Sequence, residues 1–275
     1  MSNTDKPKGS LLVATYEMPK HLALVCAALE RQTSQDFEIL FCDDGSGPET
    51  AKVIEEFKSR VDIPVRHLRQ EHQGFRKCRI LNLAVREARG DVFIFLDGDC
   101  VPHKDYVRDH LSMQQKGTYL AGRRVELGPD LSEWLTPEHI RKGFFDRPRL
   151  QLLQSCLRGD TQHFQRSIRV PSSLLRGWLG MNRVDDMKGC NYSVARGHLE
   201  AINGFDEEYE GYGREDTDVE LRLQNLGLKI KSLKGMALQY HVWHPRREFT
   251  PRNDQRLDEL KNSGRFECRQ GLKPS

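Results

Sequence analysis

The chain is short of several things that would each have named a class. Its 7 cysteines are an odd number, scattered from Cys26 to Cys268 with no CxxC pair. Neither a zinc module nor a disulfide framework is therefore expected, and reduced thiols in a cytoplasm are the simple reading. Apolar runs stop far short of the ~18 residues that cross a bilayer; Leu11 to Ala14 and Val92 to Leu96 are typical. The opening MSNTDKPKGS has no apolar h-region, so the expectation is a protein neither integral to a membrane nor secreted. Surplus charge is small: 43 basic against 40 acidic side chains leave +3 over 275 residues, too even to require a nucleic-acid partner. Repeats and low-complexity tracts are absent. Hydrophobic residues at 37% still suffice for a core, which excludes disorder of the whole chain.

What is present is alternation. Short apolar runs at Leu11 to Ala14, Phe37 to Cys42, Val61 to Leu68 and Val92 to Leu96 read as strands. Segments with helical spacing lie between them, after Pro19, over Glu49 to Phe57 and over Arg79 to Ala88. That βαβα order predicts an α/β fold, with a mixed, mostly parallel sheet flanked by helices. Such sheets bind ligands beyond the C-terminal ends of their strands. Thr15, Tyr16 and Glu17 follow the first strand, Asp43 and Asp44 the second, His72 to Arg76 the third, and Asp97, Gly98 and Asp99 the fourth. One crevice is expected to collect them.

The chemistry-bearing residues each have two readings. Asp97 and Asp99 flank a glycine after an apolar strand, a pattern that suits a divalent cation bridging to a diphosphate, although turn and helix caps produce the same pattern. Asp43 and Asp44 accept from a base or ribose, or else form an Asx turn with Gly45 and Gly47. Glu215, Asp216 and Asp218 crowd a helix start, which the helix dipole alone explains, yet a carboxylate projecting there is also well fixed as a general base. His241 and His244 are three apart; in extended chain only one faces a metal, and His241 is the expected one.

Residues 141–180 hold eight basic side chains against Asp146 and Asp160, interleaved with Phe144, Leu150, Leu157, Leu174 and Trp178. This segment is either an amphipathic surface for anionic lipid or ordinary helices with their arginines in solvent. Residues 1–10 read as a loose lead-in. Residues 11–249 read as the main domain, in three parts: 11–122, 123–180 and 181–249. Residues 250–275 read as a charged tail with a weakly ordered end.

The ordered blocks ATYEMP (14–19), CDDGS (42–46), QGFRKCRILN (73–82), FLDGDC (95–100), GCNYSV (189–194), NGFDEEY (203–209), GYGREDTDVELRL (211–223) and YHVWHP (240–245) resemble family 2 glycosyltransferases of the GT-A (Rossmann-like) fold. The later blocks are similar to the galactosyltransferase-like C-terminal motif of chondroitin-polymerase-type enzymes. The resemblance implies inverting, metal-dependent transfer of a sugar from a nucleotide diphosphate sugar, usually UDP-linked, to a hydroxyl of a glycan or lipid-linked saccharide in bacterial surface polysaccharide or lipopolysaccharide synthesis.

By motif it gives Mn2+ or Mg2+ to Asp99, Asp97 and His241, and the base role to Asp216, with Glu215 orienting the acceptor. It assigns the nucleotide sugar to Thr15, Tyr16, Glu17, Asp43, Asp44, Gln73, Arg76, Arg79, Asp97, Gly98 and Asn191. The expected location is cytoplasmic, at the inner face of the membrane. Three positions depart from the pattern: Leu81-Asn82 stands for Arg-Asn, and Cys190 and Arg214 stand where glycine is common. A nucleotidyltransferase is disfavoured, because TYEMPKH after the first strand has no glycine. A catalytically silent sugar-nucleotide-binding protein is the remaining alternative.

Overall fold

The computed structural model describes residues 6–245 and 248–273. Residues 1–5, 246–247 and 274–275, which are parts of the expected lead-in, third section and tail, lie outside the described residues. The first half alternates as its periodicity predicts: β1 (Gly9–Thr15), α1 (Pro19–Leu29), β2 (Phe37–Asp43), α2 (Pro48–Lys58), β3 (Val65–Arg69), α3 (Lys77–Glu87) and β4 (Val92–Asp97). Proline at the first turn of α1 and α2 starts each helix where its missing N–H has no partner to lose. β3 begins later than the expected Val61, because Pro64 interrupts the run; its carbonyl still accepts from Ile39 N at 2.9 Å.

The chain continues through β5 (Cys100–Pro102), α4 (Tyr106–Met113), β6 (Thr118–Ala121), β7 (Val125–Glu126), α5 (Pro129–Trp134), α6 (Pro137–Arg141), α7 (Leu150–Leu157) and α8 (Ser173–Trp178). It ends with β8 (Asn191–Ala195), α9 (Arg196–Ala201), α10 (Glu215–Asn225), β9 (Lys229–Ser232), β10 (Gln239–His241) and α11 (Pro251–Ser263). Seven strands form one sheet in the order β3-β2-β1-β4-β8-β6-β9. The first four are parallel, and β8 runs against both its neighbours. A small second sheet, β5-β10-β7, joins the segment after β4 to the late histidine strand.

Successive side chains on β1 point to opposite faces. Leu11 and Val13 enter the core under α1 and α2, while Leu12 packs with the α3 and α10 side chains Ile80, Val85, Val219 and Leu223. With both faces covered, β1 and β2 are buried almost throughout, which is why they read as continuous apolar runs. Register places Thr15 beside Asp43 and Ala14 beside Asp97, so the polar strand ends emerge together.

The middle segment resolves differently from its composition. Arg141 pairs with Glu30 (2.7 Å), Arg169 with Asp109 (2.8 Å), and Arg149, Arg166 and Arg176 donate to backbone carbonyls. Most of the apparent basic surface is thus internal glue. The apolar half of the pattern divides: Phe144 is buried, while Leu157, Leu174 and Trp178 are about four-fifths exposed. The tail is also not weakly held over its described residues. Asn203 Nδ2 donates to the Cys268 carbonyl at 3.1 Å, and Leu272 N to the Asn203 carbonyl at 2.9 Å.

Candidate active site

A cavity of about 850 Å³ opens at the C-terminal strand ends. Its lining includes Thr15, Tyr16, Glu17, Asp44, Lys77, Asp97, Gly98 and Asp99 from the strand ends and α3, together with Arg124, Glu126, Lys188, Tyr212, His241 and His244. At its rim the chain leaves β1 with Glu17 and Met18 both in left-handed conformation (φ 54 and 57), an uncommon state for residues with side chains. Two bonds hold this turn against the β2 loop: Glu17 N donates to Ser46 Oγ (2.8 Å), and Gly47 N donates to Glu17 Oε1 (2.9 Å).

At one end, β4 delivers Asp99 and β10 delivers His241, with His244 just beyond. Their ligand atoms lie within 4.8 Å of one another. His244 Nε2 is 3.2 Å from Asp99 Oδ2 and 3.2 Å from His241 Nε2. The parallel pairing of β7 with β10 sets Glu126 beside His241, and Glu126 Oε2 lies 2.8 Å from His241 Nδ1. That contact fixes the ring and turns Nε2 toward Asp99, the usual support for a metal-ligating histidine. Burial works against charge on His241, but bonds to Asp99 and Glu126 outweigh it and push its pKa up to about 9. Burial opposes ionisation of Glu126 too, yet His241 and Arg124 bring it down to about 2. One carboxylate and two imidazoles form a mixed oxygen and nitrogen donor set that a divalent transition cation, Mn2+ among them, can occupy.

The other end carries its own cation. Lys77, in the first turn of α3, donates to Asp97 Oδ1 at 2.8 Å and sits 3.8 Å from Glu215 Oε1. Burial opposes its charge, but Asp97 and Glu215 hold it well above the usual lysine range. Glu215 is raised, first by its own burial, and its Oε2 has no hydrogen-bond partner among the described residues. Asp216 is half-buried: Oδ2 accepts from Gly189 N (3.0 Å) and Oδ1 from Thr217 N (2.8 Å). A Cβ on Gly189 would come 3.0 Å from Asp216 Cβ, so glycine lets this loop reach the carboxylate. Asp218 is structural: it pairs with Arg222 (2.8 Å), which in turn donates to the Ile202 and Gly204 carbonyls and anchors α10.

Comparison with known proteins matches the glycosyl transferase family 2 model to residues 10–172. The chain belongs to that family. A second model, described as the N-terminal domain of galactosyltransferase, matches residues 172–245. Chondroitin synthase of Escherichia coli is 25% identical over 254 residues, covering 87% of this chain but only 35% of the relative, so the chain spans about a third of that protein's length. Two solved structures share the fold. The mannosyltransferase PcManGT of Pyrobaculum calidifontis, in complex with GDP-Man and Mn2+, has TM-score 0.59 at 16% identity over 88% of this chain and 59% of its own. GalNAc-T7 with UDP, GalNAc and Mn2+ has TM-score 0.65 at 14% identity over 94% and 48%. The architecture is the GT-A fold, with its mostly parallel sheet.

Within this family 2 scaffold the expected site residues separate. Thr15, Tyr16, Glu17, Asp44, Asp97, Gly98, Asp99 and His241 line the cavity. Several do not. Asp43 is buried and turned inward to Ser46 and His67 (2.9 Å), so it shapes the turn. Asn191 is fully buried, its Nδ2 on the Arg123 and Ala237 carbonyls, and it ties strands together. Arg79 is exposed on α3, while Arg76 and Gln73 bond each other at 2.9 Å outside the cavity lining. Glu215 and Asp216 stand behind Lys77 and the Lys188-Gly189 turn. Asp97 gives Oδ1 to Lys77 and stays outside the Asp99 cluster, and the expectation that only one histidine reaches the cation end is corrected, since both do.

Lys77, Glu126, Arg124 and His244 were missed as site residues. Lys77 and His244 lie in the QGFRKCRILN and YHVWHP blocks, whereas Arg124 and Glu126 lie in none of the blocks named above. Arg214 has φ 76, which explains why glycine is common there; the Asp254 carboxylate (2.6 Å) and the Phe249 ring hold it.

Proposed function

We propose that this family 2 member is an inverting, metal-dependent glycosyltransferase that moves a sugar from a nucleotide diphosphate sugar, UDP-linked, to a glycan hydroxyl. The observation that carries the reading is the meeting of Asp99, His241 and His244 in the same cavity as the strand-end strip Thr15 to Glu17 and Asp44. Asp99, His241 and His244 would hold Mn2+ or Mg2+, with Glu126 orienting His241. The cation would offset charge on the departing diphosphate. Arg124 and Lys188 line the same cavity and add positive charge facing that leaving group. Asp216, steadied by two backbone amides, takes the proton from the acceptor hydroxyl as its oxygen attacks the anomeric carbon from the face opposite the diphosphate. Glu215, 3.8 Å from Lys77 Nζ, orients the acceptor from behind that lysine. UDP is favoured because GalNAc-T7 holds UDP with Mn2+, and a glycan acceptor because of the likeness to chondroitin synthase.

The same reading places the acceptor in surface polysaccharide synthesis, delivered at the inner face of a membrane. Support comes from the solvent-facing Leu157, Leu174 and Trp178, in the segment that also sends Asp160 and His163 to the cavity lining. With its arginines largely internal, contact there would rest on apolar insertion more than on charge. No helix among the described residues is long and apolar enough to cross a membrane.

A thermal-shift screen of nucleotide sugars with and without Mn2+, followed by a transfer assay, tests the proposal, because a binder raises stability with occupancy. A Mn2+-dependent shift with a UDP-sugar and product of inverted configuration are expected. Retained configuration, or shifts that ignore Mn2+ for every nucleotide sugar, would overturn it. UDP-sugar binding without turnover in the wild type would favour a silent binding protein.

A further inference from the structure

Directly behind the Asp99 cluster lies a second convergence that the transfer reaction does not use. Cys100 on β5 and Cys190 at the start of β8 are 90 positions apart in the chain, yet their sulfurs and an Asp97 carboxylate oxygen all lie within 4.8 Å of one another. Both thiols are buried, at 0% and 3% exposure. Arg124 Nη1 points at both sulfurs, 3.4 Å from Cys190 Sγ and 3.8 Å from Cys100 Sγ. Asp97, Gly98 and Arg124 belong to the cavity lining, which gives an ion a route in.

We propose that Cys100, Cys190 and Asp97 form a second cation site, selective for a thiophilic divalent metal of the zinc class. Two sulfurs and one oxygen are a soft donor set, unlike the neighbouring carboxylate and imidazoles, and suit zinc far better than Mn2+ or Mg2+. Zn–S bonds near 2.3 Å and Zn–O near 2.1 Å put tetrahedral ligand pairs about 3.5–3.8 Å apart, so the group needs only a slight contraction. Charge closes as well: two thiolates, Asp97 and Glu126 against a dication, Lys77 and the Arg124 guanidinium. Binding releases the two thiol protons to solvent and leaves the sulfurs as thiolates. Because Asp97 also holds Lys77, and Cys100 Sγ donates to Asp99 Oδ1 at 3.0 Å, an ion here would disturb both ends of the cavity. The site therefore reads as inhibitory.

Cobalt(II) titration of the full chain, reduced and stripped of metal, is the test, read by the sulfur-to-cobalt charge-transfer band in the near ultraviolet. A band that saturates at a single equivalent, survives excess Mn2+ and is displaced by Zn2+ is expected. Cys190→Ala and Cys100→Ala should lose it, while Asp99→Ala keeps it. Absence of the band in the reduced native protein would overturn the proposal. So would cobalt uptake that shows only visible ligand-field bands without the charge-transfer band, because cobalt would then sit among the histidines. Both the cobalt band and the Mn2+ competition are read on the native chain, so the test stands even where a cysteine variant does not fold.

Discussion

The two ends of the cavity neutralise their acids in different ways. At the Lys77 end the counter-charge is covalent to the chain: a buried lysine held between Asp97 and Glu215, with its pKa driven further up. At the His241 end the counter-charge is a proton on an imidazole between Asp99 and Glu126, which leaves at about pH 9. A lysine already offsets the carboxylates at the first end, whereas a removable proton at the second marks where the proposed catalytic metal would take over. On the proposed function, substrate handling falls to one end and that metal to the other, although both derive from acids at strand and helix ends.

Asp216→Asn should sharpen this contrast most. Transfer is expected to fall by about 10²–10⁴-fold, with Mn2+-dependent nucleotide binding unchanged in calorimetry; unchanged turnover would remove Asp216 from the mechanism. Next comes Lys77→Met, which leaves Asp97 and Glu215 facing each other in a buried place. It is expected to destabilise the fold by about 3–5 kcal/mol, seen in denaturant unfolding, while Mn2+ binding survives.

Acidity distinguishes the ends more gently. The folded pKa of His241 lies above its ordinary value of 6.5. Its contribution to stability without metal is therefore fully present below pH 6.5 and is lost as pH rises through about 9. Mn2+ competes with that same proton, so its affinity should climb about tenfold per pH unit between roughly 7 and 9. A flat profile by electron paramagnetic resonance would break the comparison. The smallest effect is expected at Arg214→Gly, where relief of the left-handed backbone offsets loss of the Asp254 pair. Stability should stay within about 1 kcal/mol, measured by thermal unfolding.

Much of this was legible in the sequence for a physical reason. Short apolar runs and helical spacing are local properties, so the strands through β4, and the polar ends they deliver, follow from the residues themselves. Asp99 and His241 could be named because an apolar strand precedes each. Lys77 was not legible, since its partner Glu215 is 138 positions away and only the fold brings the two together. Glu126 was hidden in a two-residue strand whose register with His241 no local pattern encodes. Asp43 and Asn191 misled in the opposite sense: polar side chains at strand ends serve turns and strand ties as readily as ligands, and burial alone decides. The arginines of residues 141–180 counted as surface charge by composition, whereas most are bonded to internal acids and carbonyls.

The most direct measurement is calorimetric titration of UDP into the wild-type protein and into Asp99→Ala, each with and without Mn2+. The account predicts that Mn2+ tightens UDP binding at least about tenfold in the wild type, through cation bridging to the diphosphate, and has no effect in the variant. Equal affinity with and without Mn2+ in the wild type, or the same Mn2+ enhancement in Asp99→Ala, would contradict it.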